Sequence, residues 1–147
     1  MDTSAYYFPC EPEFSIGKAK RANVHFVSDS HYHDTYEIYY LVSGTRRQFV
    51  DHTIYDMKKG DLILIPKGSI HKTTAIVKNP HTRYLINFSE EYTESICRNM
   101  GESSVKKVFD TVIIEIPESR QEYILSLFER MEEEYRERKT DKYADTL

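Results

Sequence analysis

Tryptophan is absent from the 147 residues, and there are only two cysteines, Cys10 and Cys97. They stand far apart with no Cys-x-x-Cys, so a disulfide scaffold is not indicated and two free thiols suit a reducing cytoplasm. Each reads as a small semi-buried apolar residue. Long apolar runs are missing too. The longest aliphatic run is the four residues 62–65, whereas a membrane-spanning helix needs about 20, so no membrane partner is expected. The opening Met1-Asp2-Thr3-Ser4-Ala5 has neither a basic n-region nor an apolar h-region, which argues against a secretory signal. Excess positive charge is also lacking: 20 basic against 24 acidic residues give a net charge of -4. The footprint of a nucleic-acid-binding surface is therefore not present. No internal repeat or low-complexity block interrupts the chain.

What is present is an ordinary globular composition, 39% hydrophobic and 30% charged, with 12 tyrosines. The length suits one domain that buries roughly two thirds of its unfolded surface. Tyrosine-rich segments suit strands with one apolar and one polar face. Strand-like segments are expected at 24–27, 33–42, 46–50, 53–57, 62–65, 71–77 and 83–88. Turn signals at Ser43-Gly44, Asp51-His52, Lys58-Lys59-Gly60-Asp61 and Pro66-Lys67-Gly68 separate them. Short strands punctuated in this way predict an antiparallel sandwich or barrel.

After residue 88 the pattern becomes helical. Ser89 is placed to cap a short helix near 90–99 that stops at Gly101, and 111–116 reads as one more strand. From 118 to 147 half of the residues are charged. Ser119-Arg120-Gln121-Glu122 has the capping-box pattern. Ile124, Leu127, Phe128, Met131 and Tyr135 then fall on one face at helical spacing. That stripe suits either packing on its own domain or pairing with a second copy. The expected organisation is a β-barrel over 1–117 and a C-terminal helical segment over 118–147.

Chemistry concentrates in His31-Tyr32-His33-Asp34-Thr35-Tyr36-Glu37. Strand side chains alternate with period two, so His31, His33 and Glu37 point to one side of an extended strand. Two imidazoles and a carboxylate make half of a divalent-metal site. His71 ends the run Gly60-x5-Pro66-x-Gly68-x2-His71, whose turns bring its strand back beside the first. Together the four make an N3O set that suits Zn, Ni, Mn or Fe without separating them. A lone histidine reads as a satisfied polar residue. Four candidate ligands at two fixed spacings read as a site. His25, His52 and His81 are isolated and read as non-ligands. Tyr36, Ile38, Tyr40 and Val42 occupy the opposite face. A strip of that size needs cover: from the C-terminal helix, from the arm Tyr6, Tyr7 and Phe8, or from a partner subunit, with intramolecular cover preferred.

His31-x-His33-x3-Glu37-x6-Gly44 resembles the first cupin motif, and Gly60-x5-Pro66-x-Gly68-x2-His71 the second. The resemblance extends over roughly 22–88 and implies a cupin double-stranded β-helix, or jelly-roll barrel, followed by C-terminal α-helices. It carries the family's four ligand positions onto His31, His33, Glu37 and His71. His25 stands where the first motif often has glycine, and Ala75 where the second often has asparagine. Such departures are typical of sensor cupins.

More narrowly, the runs from His33 to Gly44 and from Gly60 to His71 are similar to the N-terminal sensor domain of AraC-type transcriptional regulators. That resemblance implies a bacterial sensor that binds a small polar metabolite, such as a sugar, or a metal in the barrel. His31, His33, Glu37 and His71 would contact it, with Tyr39 and Thr73 of matching parity beside them. It also implies a homodimer formed through the C-terminal helix, and DNA binding only through a further domain absent from this chain. The end of the chain, from Lys139 to Tyr143, resembles the start of a linker. The rival expectation is a free-standing metal-dependent cupin enzyme, a dioxygenase or isomerase. A storage or structural cupin comes third.

Overall fold

The computed structural model describes residues 5–7, 13–22, 29–100, 107–110 and 112–140. The expected strand at 24–27, Phe8, Cys10, His25 and the stop at Gly101 lie outside the described residues, as does the side chain of Cys97. Among the described residues ten strands form two five-stranded sheets, with one helix between the ninth and tenth strands and a long one after the tenth. The first sheet has the order β1 (Tyr6–Tyr7), β3 (His31–Tyr32), β8 (His71–Thr74), β5 (Thr45–Val50), β6 (Thr53–Lys58). The second has β10 (Ile113–Glu115), β7 (Asp61–Ile65), β4 (Tyr36–Ser43), β9 (His81–Phe88), β2 (Phe14–Arg21). Apart from the short β1–β3 pair, every pairing among the described residues is antiparallel. The result is a jelly-roll barrel, as the turn spacing predicts.

β4 explains why there are two cores. Its odd-numbered residues Tyr39 and Leu41 join Val50, Met57, Ile63 and Ile65 between the sheets. Its even-numbered residues Tyr36 and Tyr40 join Tyr84, Ile86, Phe88 and Phe128 on the outer face of the second sheet. α1 (Glu90–Met100) begins after Ser89, whose Oγ accepts the Tyr92 amide at 3.1 Å. That is the expected N-cap.

α2 (Glu118–Thr140) lies over the outer face, and the Phe128 ring stacks on Tyr40 at 4.9 Å and 8°. Ile38, Val42, Ile124, Leu125, Met131 and Tyr135 are packed there too. The strip opposite the histidines is thus covered from within the chain. Leu125, not Leu127, belongs to that packed set. Burying a large apolar side chain of this kind contributes about 1.5–3 kcal/mol.

Several boundaries differ from expectation. The segment 33–42 is not one extended strand: residues 33–35 leave β3 and bend before β4, because the chain passes there from one sheet to the other. β8 stops at Thr74, short of 77, and β10 is limited to Ile113–Glu115. The capping box at Ser119 does not form. The helix already includes Glu118, and the Arg120 amide donates to the Pro117 carbonyl at 2.8 Å. β2 was not foreseen, because Lys18, Lys20 and Arg21 disguise an edge strand in the way edges are commonly protected.

Candidate functional site

The two sequence motifs meet at one register point. His31 pairs with His71 across β3 and β8, and His71 pairs with Val50 on β5. The turn between motifs is tied down as well. The Gly68 amide donates to the His33 carbonyl at 3.0 Å, and the Ile70 amide to Asp51 Oδ1 at 3.1 Å. Gly68 takes a φ of 82°, which favours glycine. Glu37 comes from the other sheet, paired with Ile65 and Asn87.

The bend at 33–35 therefore does what a continuous strand would not. It carries His33 and Glu37 across the barrel end to face His71. His33, Glu37 and His71 are buried and His31 is half-buried. The ring centroids lie 4.2 Å apart for His31 and His71, 4.9 Å for His33 and His71, and 5.9 Å for His31 and His33. One ligand atom from each histidine falls within 4.8 Å of the others. Three of the four expected ligands thus lie close together, an arrangement compatible with a shared divalent ion.

The hydrogen bonds fix the tautomers. Nδ1 of His31 meets the Asp29 carbonyl at 2.8 Å, that of His33 the Thr35 carbonyl at 3.0 Å, and that of His71 the Ser69 carbonyl at 2.9 Å. A carbonyl only accepts, so each neutral ring carries its proton on Nδ1 and its lone pair on Nε2. The Thr35 hydroxyl donates to Asn87 Oδ1 at 3.2 Å, which ties the loop to β9. His33 Nε2 and His71 Nε2 are buried with no hydrogen-bond partner. They stand 3.5 and 3.3 Å from the two oxygens of Glu37. Lone pairs on nitrogen and a carboxylate thus face one another in a buried setting. Such a group is costly unless a cation sits among it, either a proton or a metal.

The titration of the cluster has the same cause. Burial alone would raise the Glu37 carboxyl, but contacts with His33 and His71 outweigh it and hold the group well below the usual carboxylate range. His71 is lowered by burial yet raised further by Glu37, so its net shift is upward. His31 is lowered, chiefly by burial.

The other expected contact residues are close by. Tyr39 is buried in the inter-sheet core, and burial raises its hydroxyl pKa. Thr73 pairs with Gln48 and accepts from Arg46 Nε at 3.2 Å. Among the described histidines outside the cluster, His52 is exposed in its turn, whereas His81 is buried at the start of β9, apart from the three. Sequence reasoning missed Arg46, Gln48 and Arg83. Arg46 and Gln48 are each 1% exposed, on the same face of β5 as the core residue Val50. Arg83 lies over the Tyr39 ring at 5.7 Å.

The sequence matches the family described as AraC-like ligand binding domain over residues 15–146, nearly the whole chain. The chain belongs to that family. No curated protein matches it. Among solved structures it is similar to the cupin domain of Cnp3 from Schizosaccharomyces pombe, with a TM-score of 0.51, 20% identity, and 65% of this chain and 69% of that one covered. It is also similar to ToxT from Vibrio cholerae, with a TM-score of 0.56, 11% identity, and 79% of this chain and 47% of that one covered. At such identities the likeness is one of fold, and the fold is the cupin jelly roll. Among the described residues no helix is long and apolar enough to cross a membrane.

Proposed function

We propose that this AraC-like ligand-binding domain is the effector sensor of a bacterial transcriptional regulator, with a divalent metal at His31, His33, His71 and Glu37. The observation that carries the reading is the three Nδ1 atoms held by backbone carbonyls, with the three rings close together and the Nε2 atoms of His33 and His71 facing Glu37. Backbone partners of this kind orient metal-binding imidazoles. A bound ion would supply a Lewis-acidic anchor for an effector. Tyr39 and Thr73 would contact the effector beside it.

The effector acts by preferring one arrangement of the domain over another, and only its differential affinity can shift that balance. α2 is suited to report the change, because it packs directly on β4, the strand that carries Glu37. Pairing of two copies through the C-terminal helix belongs to the same proposal. Since most of the apolar stripe faces its own sheet, pairing would use Tyr123, 57% exposed, and the half-buried Leu127. DNA contact is assigned to a separate domain, and the role proposed here is sensing, not catalysis.

A thermal-shift screen of small polar metabolites tests this. Stabilisation by particular compounds in the wild type, lost in a His33→Ala/His71→Ala variant, supports it. Steady conversion of a compound by the metal-loaded chain would replace the sensor reading with an enzyme.

A further inference from the structure

Two buried polar side chains adjoin the histidine cluster, Thr35 in the bend and Asn87 on β9. Asn87 is paired with Glu37 across β9 and β4. Directly opposed residues point to the same face of a sheet, so Asn87 stands beside that carboxylate inside the barrel. Its neighbour Phe88 turns the other way and stacks on Tyr36 at 5.5 Å and 21°.

His33 Nδ1 meets two oxygens of one residue. It lies 3.0 Å from the Thr35 carbonyl oxygen and 3.0 Å from the Thr35 hydroxyl oxygen. The two differ in kind. A carbonyl only accepts, whereas a hydroxyl both donates and accepts and rotates to suit its surroundings. Both can accept from the same Nδ1–H only while the hydroxyl proton points elsewhere. It does so here, toward Asn87 Oδ1 at 3.2 Å. Asn87 thereby makes the hydroxyl a second acceptor for His33. Nε2 is left as the bare nitrogen, 3.5 Å from Glu37 Oε1.

Take Asn87 away and the hydroxyl proton loses that acceptor. Thr35 is buried, and buried O–H groups are found paired. His33 Nδ1 is already within bonding distance. Once the hydroxyl donates to Nδ1, the ring carries its own proton on Nε2. There it donates to Glu37 and uses the lone pair that a metal needs. A proton changes ring nitrogen, and the charge of the ring stays the same.

We propose that Asn87, acting through Thr35, is the positioning residue that decides which nitrogen of His33 faces Glu37 as a lone pair. The placement of the proton stands on these hydrogen bonds, and its consequence for metal rests on the metal site proposed above. The bend is also held from its other face, by the stack of Tyr36 on Phe88 and by the Tyr36 hydroxyl, which donates to Glu90 Oε2 at 3.2 Å.

The arrangement carries its own suppressor. Asn87→Leu is near-isosteric and removes the acceptor, which turns the hydroxyl into a competitor for Nδ1. Thr35→Val removes the hydroxyl and keeps the carbonyl, so Nδ1–H stays. The double variant therefore regains what Asn87→Leu alone loses. A residue that merely packs would give the double variant both losses.

Long-range nitrogen–proton NMR of the full chain, stripped of metal and held at about pH 8, where an ordinary imidazole is neutral, reads the tautomer of His33. Its signals are assigned against His33→Gln. Nδ1–H is expected in the wild type, in Thr35→Val and in the double variant, and Nε2–H in Asn87→Leu. Competition for zinc against a chromophoric chelator should show about tenfold weaker binding in Asn87→Leu. The double variant should return to within about threefold of the wild type, since both partners are then apolar. Asn87→Ala removes the same acceptor without bulk and serves should Asn87→Leu fail to fold. Nε2–H in the wild type, Nδ1–H kept in Asn87→Leu, or a double variant no better than Asn87→Leu overturns the proposal. A wild type that takes up no zinc overturns the metal reading instead, and the tautomers then decide this proposal alone.

Discussion

Replacing Phe128 with alanine tests whether α2 is part of the folded core. Phe128 is 5% exposed, stacked 4.9 Å from Tyr40 and tilted 5.4 Å from Tyr84. Removing a buried phenylalanine costs about 3–5 kcal/mol. The lower end applies here, because α2 is an outer layer and its exposed side can settle into the gap. For a domain of this size about 3 kcal/mol lowers the melting temperature by roughly 6–12 °C. Tyr123→Ala on the same helix is the control. With that side chain 57% exposed, the change should stay within about 0.5 kcal/mol. Urea denaturation followed by far-UV circular dichroism and by tyrosine fluorescence gives both numbers, at two protein concentrations to separate folding from association. A loss below about 1 kcal/mol for Phe128→Ala, or a separate early transition for the helix, would refute the packing described here.

Asp61 is 2% exposed and accepts the Lys58 amide at 2.9 Å and its ammonium at 3.3 Å. Asp61→Ala should cost about 1–3 kcal/mol, read by denaturant midpoint. Gly44 has a φ of 87°, and a Cβ there would lie 2.5 Å from the Pro80 carbonyl oxygen and 2.8 Å from His81 Cβ. Gly44→Ala should therefore lose more than about 1 kcal/mol, whereas Gly17→Ala, with nothing within 4 Å, should be neutral or slightly stabilising in the same assay. Burial first, then Arg46, Arg83 and Arg21, lowers the His81 pKa from 6.5 to about 4. The unfolded chain then takes up this proton first, so stability is fully present above pH 6.5 and falls as pH drops toward 4, by at most about 1.4 kcal/mol per unit. His81→Asn should flatten that part of the curve of stability against pH, and an unchanged slope would remove His81 as its source.

The barrel and the close approach of the three histidines were legible because both depend on local rules. Turn residues fix where strands end, and the spacing of His31, His33, Glu37 and His71 survives the bend at 33–35 because side-chain direction is recovered on re-entering β4. The inward turn of Arg46 and Gln48 was not legible. In Thr45-Arg46-Arg47-Gln48-Phe49-Val50, hydrophobicity points to Phe49 or to Val50 with equal force, and adjacent arginines fit either face. Only the pairing with β8 decides that Arg46 and Gln48 turn inward. The parity shared with Val50 was the one available signal. Cover for Tyr36, Ile38, Tyr40 and Val42 could be inferred to exist, but its origin in α2 depends on tertiary packing that helical spacing leaves open.

Metal content tests the central claim most directly. The chain should be stripped with a chelating resin, dialysed against zinc and, separately, nickel, and assayed by elemental analysis beside His33→Ala and His71→Ala. The account predicts about one equivalent per chain for the wild type and at least tenfold weaker retention in either variant. Binding should also decline on acidification as protons compete for the Nε2 lone pairs. No retained metal in the wild type, or equal retention in the variants, would contradict it.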